Sequence, residues 1–188
     1  EKREVREGAL FISQPDAFKL KDSDKTILTD FLETAKYMNL GWSPLSFGLT
    51  RGEVLKRPFQ EWPTIFKDEA LHRDNCCWFY LSSAPYQWAG AEPHVELAIL
   101  LSLSYTVLRE LDSMGIAFDQ SKNKISFVLS LGTDVLIESS KVTALKLLWA
   151  KLSETIGGEP EPVDVFTLPS LRYFSSRDPW NNVMRMSL

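Results

Sequence analysis

Short apolar runs alternate with longer amphipathic ones along this chain, and that alternation limits the fold more than any other feature. Residues 8–13, 44–50, 76–82, 124–130 and 163–167 read as strands, with Gly48 breaking the second. Between them apolar residues recur at helical spacing: Ile27, Leu28, Phe31, Leu32, Ala35 and Met38 after the capping run Asp22-Ser23-Asp24, then a weaker helix over 58–72 bent or started by Pro63. A long helix over 92–114 is closed by Gly115. Another, capped by Thr133-Asp134 and ended by Gly157-Gly158, carries Leu136, Ile137, Leu145, Leu148, Trp149 and Leu152. Asp178-Pro179 caps a last helix.

The order is therefore strand-helix about five times over, which predicts an α/β fold with parallel strands and helices outside. Two architectures satisfy it: an open doubly wound sheet, or an arc of a (β/α)8 TIM-type barrel. A whole barrel takes about 250 residues, so 188 residues correspond to a partial barrel of about five β-α units. The chain starts at Glu1 without a methionine and stops at Leu188 inside a helical pattern. The expectation is one domain over 1–188, excised from a longer chain.

Composition narrows the partners. Apolar residues make up 44% and charged residues 24%, enough to bury a core. Lys and Arg number 21 against 25 Asp and Glu, and no basic run exceeds two residues, which argues against nucleic acid and anionic membrane surfaces as partners. The longest strongly apolar stretch, 97–108, is too short to cross a bilayer. The charged opening Glu1-Lys2-Arg3-Glu4-Val5-Arg6 is no signal peptide. The two cysteines, Cys76 and Cys77, are adjacent in a strand and so face opposite ways, unsuited to a disulfide or metal clamp. Buried thiols and a cytoplasmic location are expected.

Candidate chemistry is sparse. Two histidines occur, His72 and His94, neither with a second metal ligand at useful spacing, and solvated or capping roles are expected for both. No phosphate-binding loop, dinucleotide fingerprint or nucleophile elbow is present. Ser13, Ser46, Ser82 and Ser130 lie in or at the ends of strands without a neighbouring base. The strand-to-helix junctions 50–53, 84–88 and 131–134 would share one rim of a parallel sheet, the face that carries the active site in barrels. Arg51 there could hold a phosphate or carboxylate, against the plainer reading of a surface pair with Glu53. Tyr86 and Trp88 could stack on a flat ligand, against packing on a neighbouring loop or subunit. Trp42, Trp62, Trp149 and Trp180 are expected in core or interface.

Three segments resemble one family. Ser82 onward, SSAPYQWAGAEPHVELA, resembles a strand followed by an A-G-A turn and an E-L-A helix. ISFVLSLGTDVLIESSKVTALKLLWAKL is similar to L-S-F-F…E-I-A-K…A…R-L-W-A. SSRDPWNNVMRMSL resembles D-P-Y-N-N-x-x-R-T. In that order, over 82–188, these are features of the acyl-CoA-binding barrel of adenosylcobalamin-dependent methylmalonyl-CoA mutases, with a fainter match around 51–56.

The departures are as informative. The resemblance implies a histidine near the substrate carbonyl just before A-G-A, and that position is Pro85, with Ala84 in place of a tyrosine. Proline has no side-chain proton or donor to offer a thioester oxygen. The family's substrate-contacting glutamine falls on Arg51, and its carboxylate-binding arginine has no counterpart around Phe59-Gln60-Glu61. This pattern resembles the small, non-catalytic subunit of heterodimeric mutases. It implies a structural role beside a large subunit that carries adenosylcobalamin and interconverts (R)-methylmalonyl-CoA and succinyl-CoA. No catalytic residue, metal or cofactor is then expected on residues 1–188, whose sequence lacks the cobalamin-binding D-x-H-x-x-G; the cobalamin domain would lie outside them. Arg51, Tyr86 and Gln87 remain the candidate contacts to an acyl-CoA. Two other readings stay open: a catalytic acyl-CoA mutase with a divergent pocket, and an unrelated α/β binding module.

Overall fold

The computed structural model describes residues 38–42, 76–160 and 162–186. The strands read over 8–13 and 44–50 and the helix over 58–72 lie outside the described residues, as do Ser13, Ser46, Arg51, Trp62 and His72. Four strands, β1 (Met38–Trp42), β2 (Cys76–Ser82), β3 (Ile125–Leu131) and β4 (Asp164–Pro169), form an open sheet of parallel strands in the order β1-β2-β3-β4. Met38 stands opposite Cys76 and Trp42 opposite Phe79, with an irregularity in between. Met38 was expected to end a helix and instead opens β1. A short apolar run fits either period, and the backbone ladder offered by β2 decides for the strand.

The helices are α1 (Ala84–Trp88), α2 (Pro93–Ser113), α3 (Phe118–Ser121), α4 (Val135–Ile156) and α5 (Pro179–Met186). Single 3-10 turns cover Lys122–Lys124 and Leu171–Tyr173. A helix between successive strands is the connection that parallel neighbours require. Among the described residues no helix is long and apolar enough to cross a membrane.

The chain divides into two compact units, residues 1–80 with 108–126 and residues 81–107 with 127–188. In the first, Cys77, Trp78 and Phe79 of β2 are buried, as are Leu111 and Ile125. The Trp78 and Phe79 rings meet edge to face at 6.4 Å. The Lys124 ammonium lies 5.7 Å from the Trp78 ring centroid, so a lysine can sit buried against an aromatic face. Ser126 Oγ donates to the Phe79 carbonyl at 3.1 Å. Gly115, at φ +84°, reverses the chain after α2.

In the second unit Leu81, Leu100, Val107, Phe127, Leu129, Leu145 and Trp149 are fully or almost fully buried. Trp149 packs edge to face on Phe127 with ring centroids 5.3 Å apart. Helix α4 begins where Asp134 Oδ1 accepts the amides of Leu136 and Ile137, both at 3.1 Å. It ends at Gly157, whose φ of +94° places it in the left-handed region. Both caps were legible in the sequence. Trp180, expected in core or interface, is 82% exposed and is therefore not core, whereas Trp149 is.

Candidate functional site

The buried face of α4 is Lys141, Leu145, Trp149 and Ser153, a stripe of four-residue steps. Its lower part is apolar and lies on Phe127. Its first member is a lysine carried into the interior, where an unpaired ammonium would be prohibitive. Lys141 Nζ meets three oxygens: Ser130 O at 2.6 Å, Glu138 Oε2 at 2.6 Å and Glu96 Oε1 at 3.2 Å. The contacts to Ser130 O and Glu96 Oε1 are hydrogen bonds, whereas Glu138 Oε2 pairs with the ammonium by charge and accepts no hydrogen bond.

Glu96 arrives from the first turn of α2, where the positive end of the helix dipole favours a carboxylate. Its other oxygen, Oε2, takes the Ser83 hydroxyl at 2.6 Å, and Ser83 Oγ in turn accepts the Ser130 amide at 3.0 Å. Ser83 directly follows β2, and its amide donates to the Val128 carbonyl at 2.9 Å. A second cluster shares Ser130. Gln87 Oε1 accepts from Ser130 Oγ at 3.3 Å and from Ser170 Oγ at 2.6 Å, while Arg172 Nη1 donates to the Gln87 carbonyl at 3.2 Å. The Ser170 amide donates to Leu131 O at 2.8 Å.

These residues collect at the carboxyl ends of β2, β3 and β4, the end at which parallel α/β folds carry their chemistry. Ser83, Glu96, Ser130, Lys141, Ser170 and Gln87 are all buried. Burial, the largest influence, pushes the Glu96 carboxyl above the usual range; the Ser83 hydrogen bond and the Lys141 charge and hydrogen bond pull it down, and the Glu138 charge adds to the rise. Gly132 lets this rim close up: a Cβ there would stand 2.8 Å from Glu138 Oε1 and 3.3 Å from the Tyr173 ring.

The residues expected to matter are distributed unevenly about this rim. Pro85 occupies the first turn of α1 and Ala84 is buried beside it. Tyr86 is half-buried, and burial raises its hydroxyl above the ordinary tyrosine range. Gln87 is buried, its side-chain carbonyl taken by two serines. Trp88 is partly exposed. Arg51 lies outside the described residues. His94 is exposed, 3.5 Å from Glu92, which is the solvated role expected of it. Among the described residues the histidine, His94, follows Glu92 rather than an aspartate and lies exposed on a helix surface, so it does not form the D-x-H-x-x-G ligand motif of adenosylcobalamin. Among the described residues no cluster of three or more His, Cys, Asp or Glu could hold a metal.

Sequence reasoning did not single out Glu96, Glu138 or Lys141 as site residues. All three stood in plain view, as the glutamate of E-L-A and the ends of the E-x-x-K run. The missed signal is a lysine in phase with Leu145 and Trp149, which places a charge on a buried helix face.

Comparison with known proteins gives one family. The methylmalonyl-CoA mutase family model matches residues 70–188. A Mycobacterium bovis protein named "Probable methylmalonyl-CoA mutase small subunit" is 33% identical over 102 residues, 53% of this chain and 16% of that protein. The methylmalonyl-CoA mutase large subunit of Propionibacterium freudenreichii is 31% identical over 113 residues, 57% and 16%. The small subunit from Streptomyces virginiae is 27% identical over 112 residues, 57% and 18%. The matched stretch spans less than a fifth of the length of each of these relatives.

Proposed function

This chain belongs to the methylmalonyl-CoA mutase family, and from that premise we propose that it is an arc of the family's acyl-CoA-binding barrel acting as a non-catalytic, small-subunit scaffold. Its partner is a large mutase subunit, and the holoenzyme interconverts (R)-methylmalonyl-CoA and succinyl-CoA. Adenosylcobalamin belongs to that large subunit. Among the described strands the order β1-β2-β3-β4 shows no reversal of the kind that marks a doubly wound sheet, which supports a barrel arc.

One observation carries the non-catalytic reading. At the strand-end rim, Pro85 stands where the resemblance calls for a histidine, and the polar side chains of the rim bond to one another. Gln87 Oε1 is shared by Ser130 and Ser170, Ser83 is held between Glu96 and Ser130, and Lys141 donates to Glu96 and to the Ser130 carbonyl. Such a rim holds strands in place and presents no proton donor at residue 85 to a thioester oxygen. In the holoenzyme the cofactor supplies the radical and protein supplies positioning and exclusion of water, to which a scaffold subunit contributes through the assembly.

The resemblance to large as well as small subunits keeps a divergent catalytic site as the second reading, with Arg51, Tyr86 and Gln87 as its contacts to an acyl-CoA. Turnover assays separate the two. The full-length parent, given adenosylcobalamin and methylmalonyl-CoA without its partner, is expected to show no isomerisation, and Pro85→His is expected to restore none. Turnover by the parent alone, or substantial turnover from that single change, would overturn the scaffold reading.

A further inference from the structure

Charge in the rim cluster does not balance. Two carboxylates, Glu96 and Glu138, face one ammonium, Lys141, with side-chain exposures of 1%, 14% and 0%. In an interior of low dielectric an excess negative charge is unfavourable, and one proton on a carboxylate removes it. Glu138 reaches the edge of the cluster and has the short 2.6 Å contact to Lys141. Glu96 is the deeper group, has the longer 3.2 Å contact, and shares a 2.6 Å O···O contact with Ser83. That contact works in either direction. An ionised Glu96 accepts the Ser83 hydroxyl, and a protonated Glu96 donates to Ser83 Oγ, which keeps a lone pair for the Ser130 amide in both cases.

We propose that Glu96, Ser83, Lys141 and Glu138 form a proton-operated latch on the strand-end rim. With one proton on Glu96 the cluster is neutral and the ends of β2 and β3 stay fastened through Ser83 and Ser130. Without it the excess charge favours an opened rim in which Glu96 reaches water. The other charged and titratable groups nearby are engaged elsewhere: Arg172 on the Gln87 carbonyl, Glu92 and His94 with each other at the exposed start of α2. Tyr86 on α1, whose hydroxyl burial pushes above the ordinary tyrosine range, stays neutral through the physiological range, and the Tyr173 ring lies beside Gly132.

The direction follows from linkage. A carboxyl held higher in the closed rim than in an opened, solvated one stabilises the closed form fully below its solvated pKa. That contribution is lost as pH rises through the closed-state value. The Glu96 shift is upward, so the window begins near the ordinary glutamate range and extends above it.

Hydrogen exchange on the full-length chain in its native assembly tests this, read on peptides covering 82–83 and 130–131 and corrected for the intrinsic pH dependence of exchange. Protection is expected to fall as pH rises from the ordinary glutamate range upward, by up to roughly tenfold for each pH unit inside the window. Glu96→Gln, which mimics the protonated state, is expected to keep protection high and flat. Glu138→Gln balances the charge by the other carboxylate and is expected to flatten the profile too. Protection independent of pH in the unaltered chain, or rising with pH, overturns the latch even if neither variant folds. An unchanged slope in Glu138→Gln overturns the charge-balance argument.

Discussion

Two stretches of one buried stripe on α4 do different work. From Leu145 to Trp149 the helix lies against the sheet through apolar side chains, with Trp149 edge-on to Phe127. One turn earlier, Lys141 occupies the equivalent place and is held by Glu96, Glu138 and the Ser130 carbonyl. The apolar layer stabilises by removing surface from water and tolerates any well-shaped hydrophobic side chain. The ionic layer contributes little net energy, because desolvation offsets attraction, but it accepts one arrangement of strand ends only. Packing therefore sets how firmly the second unit folds, and charge sets how its rim is aligned.

The sharpest break of that comparison is at Trp149. Trp149→Ala leaves a large void against Phe127 and is expected to destabilise by about 3–5 kcal/mol, measured by denaturant unfolding. Lys141→Met alone strands the buried Glu96 and the partly buried Glu138 and is expected to lose about 3 kcal/mol or more. The two variants part company on rescue. Adding Glu96→Gln and Glu138→Gln to Lys141→Met is expected to recover most of the loss, since no uncompensated charge remains. No charge change is expected to rescue Trp149→Ala. A triple variant no more stable than Lys141→Met would erase the distinction between the layers.

Smaller again is Gly132→Ala. The new methyl would press on Glu138 Oε1 and the Tyr173 ring, and because Glu138 is tied to Lys141 it cannot turn away freely. A loss of about 1 kcal/mol is expected, within the usual range for overpacking. It should shrink in a Glu138→Ala background, which leaves only the 3.3 Å contact to the Tyr173 ring, and a double-mutant cycle would read the difference directly.

The sequence made the apolar layer legible and left the ionic one hidden. Residues 76–82 were readable as a strand because seven residues without charge, four of them large and apolar or aromatic, fit little else. The caps at Asp134 and Gly157 were readable because each answers a specific backbone need. Helix α4 was harder. Leu136, Ile137 and Leu148 recur at helical spacing and looked like its core, yet Leu136 is 79% exposed and the buried stripe runs through Lys141 and Ser153 instead. Two stripes competed, and only the position of the sheet decides between them. Likewise α1 was read as a loop junction, since a five-residue helix is too short to show a period. Glu138 and Lys141 are an i,i+3 pair on α4, but Glu96 comes from α2, 45 residues from Lys141, so its convergence on them is a tertiary fact that no spacing rule contains. These residues carried the family resemblance, and in the structure they build the rim.

In the proposed function this chain keeps the mutase scaffold and leaves the chemistry to a partner. The most direct measurement is to purify the full-length parent from its native cell and identify what accompanies it. The account predicts a larger mutase chain at one to one, with cobalamin absorbance following that chain when the two are separated. A parent that runs alone with cobalamin bound would contradict it and make this chain itself the enzyme.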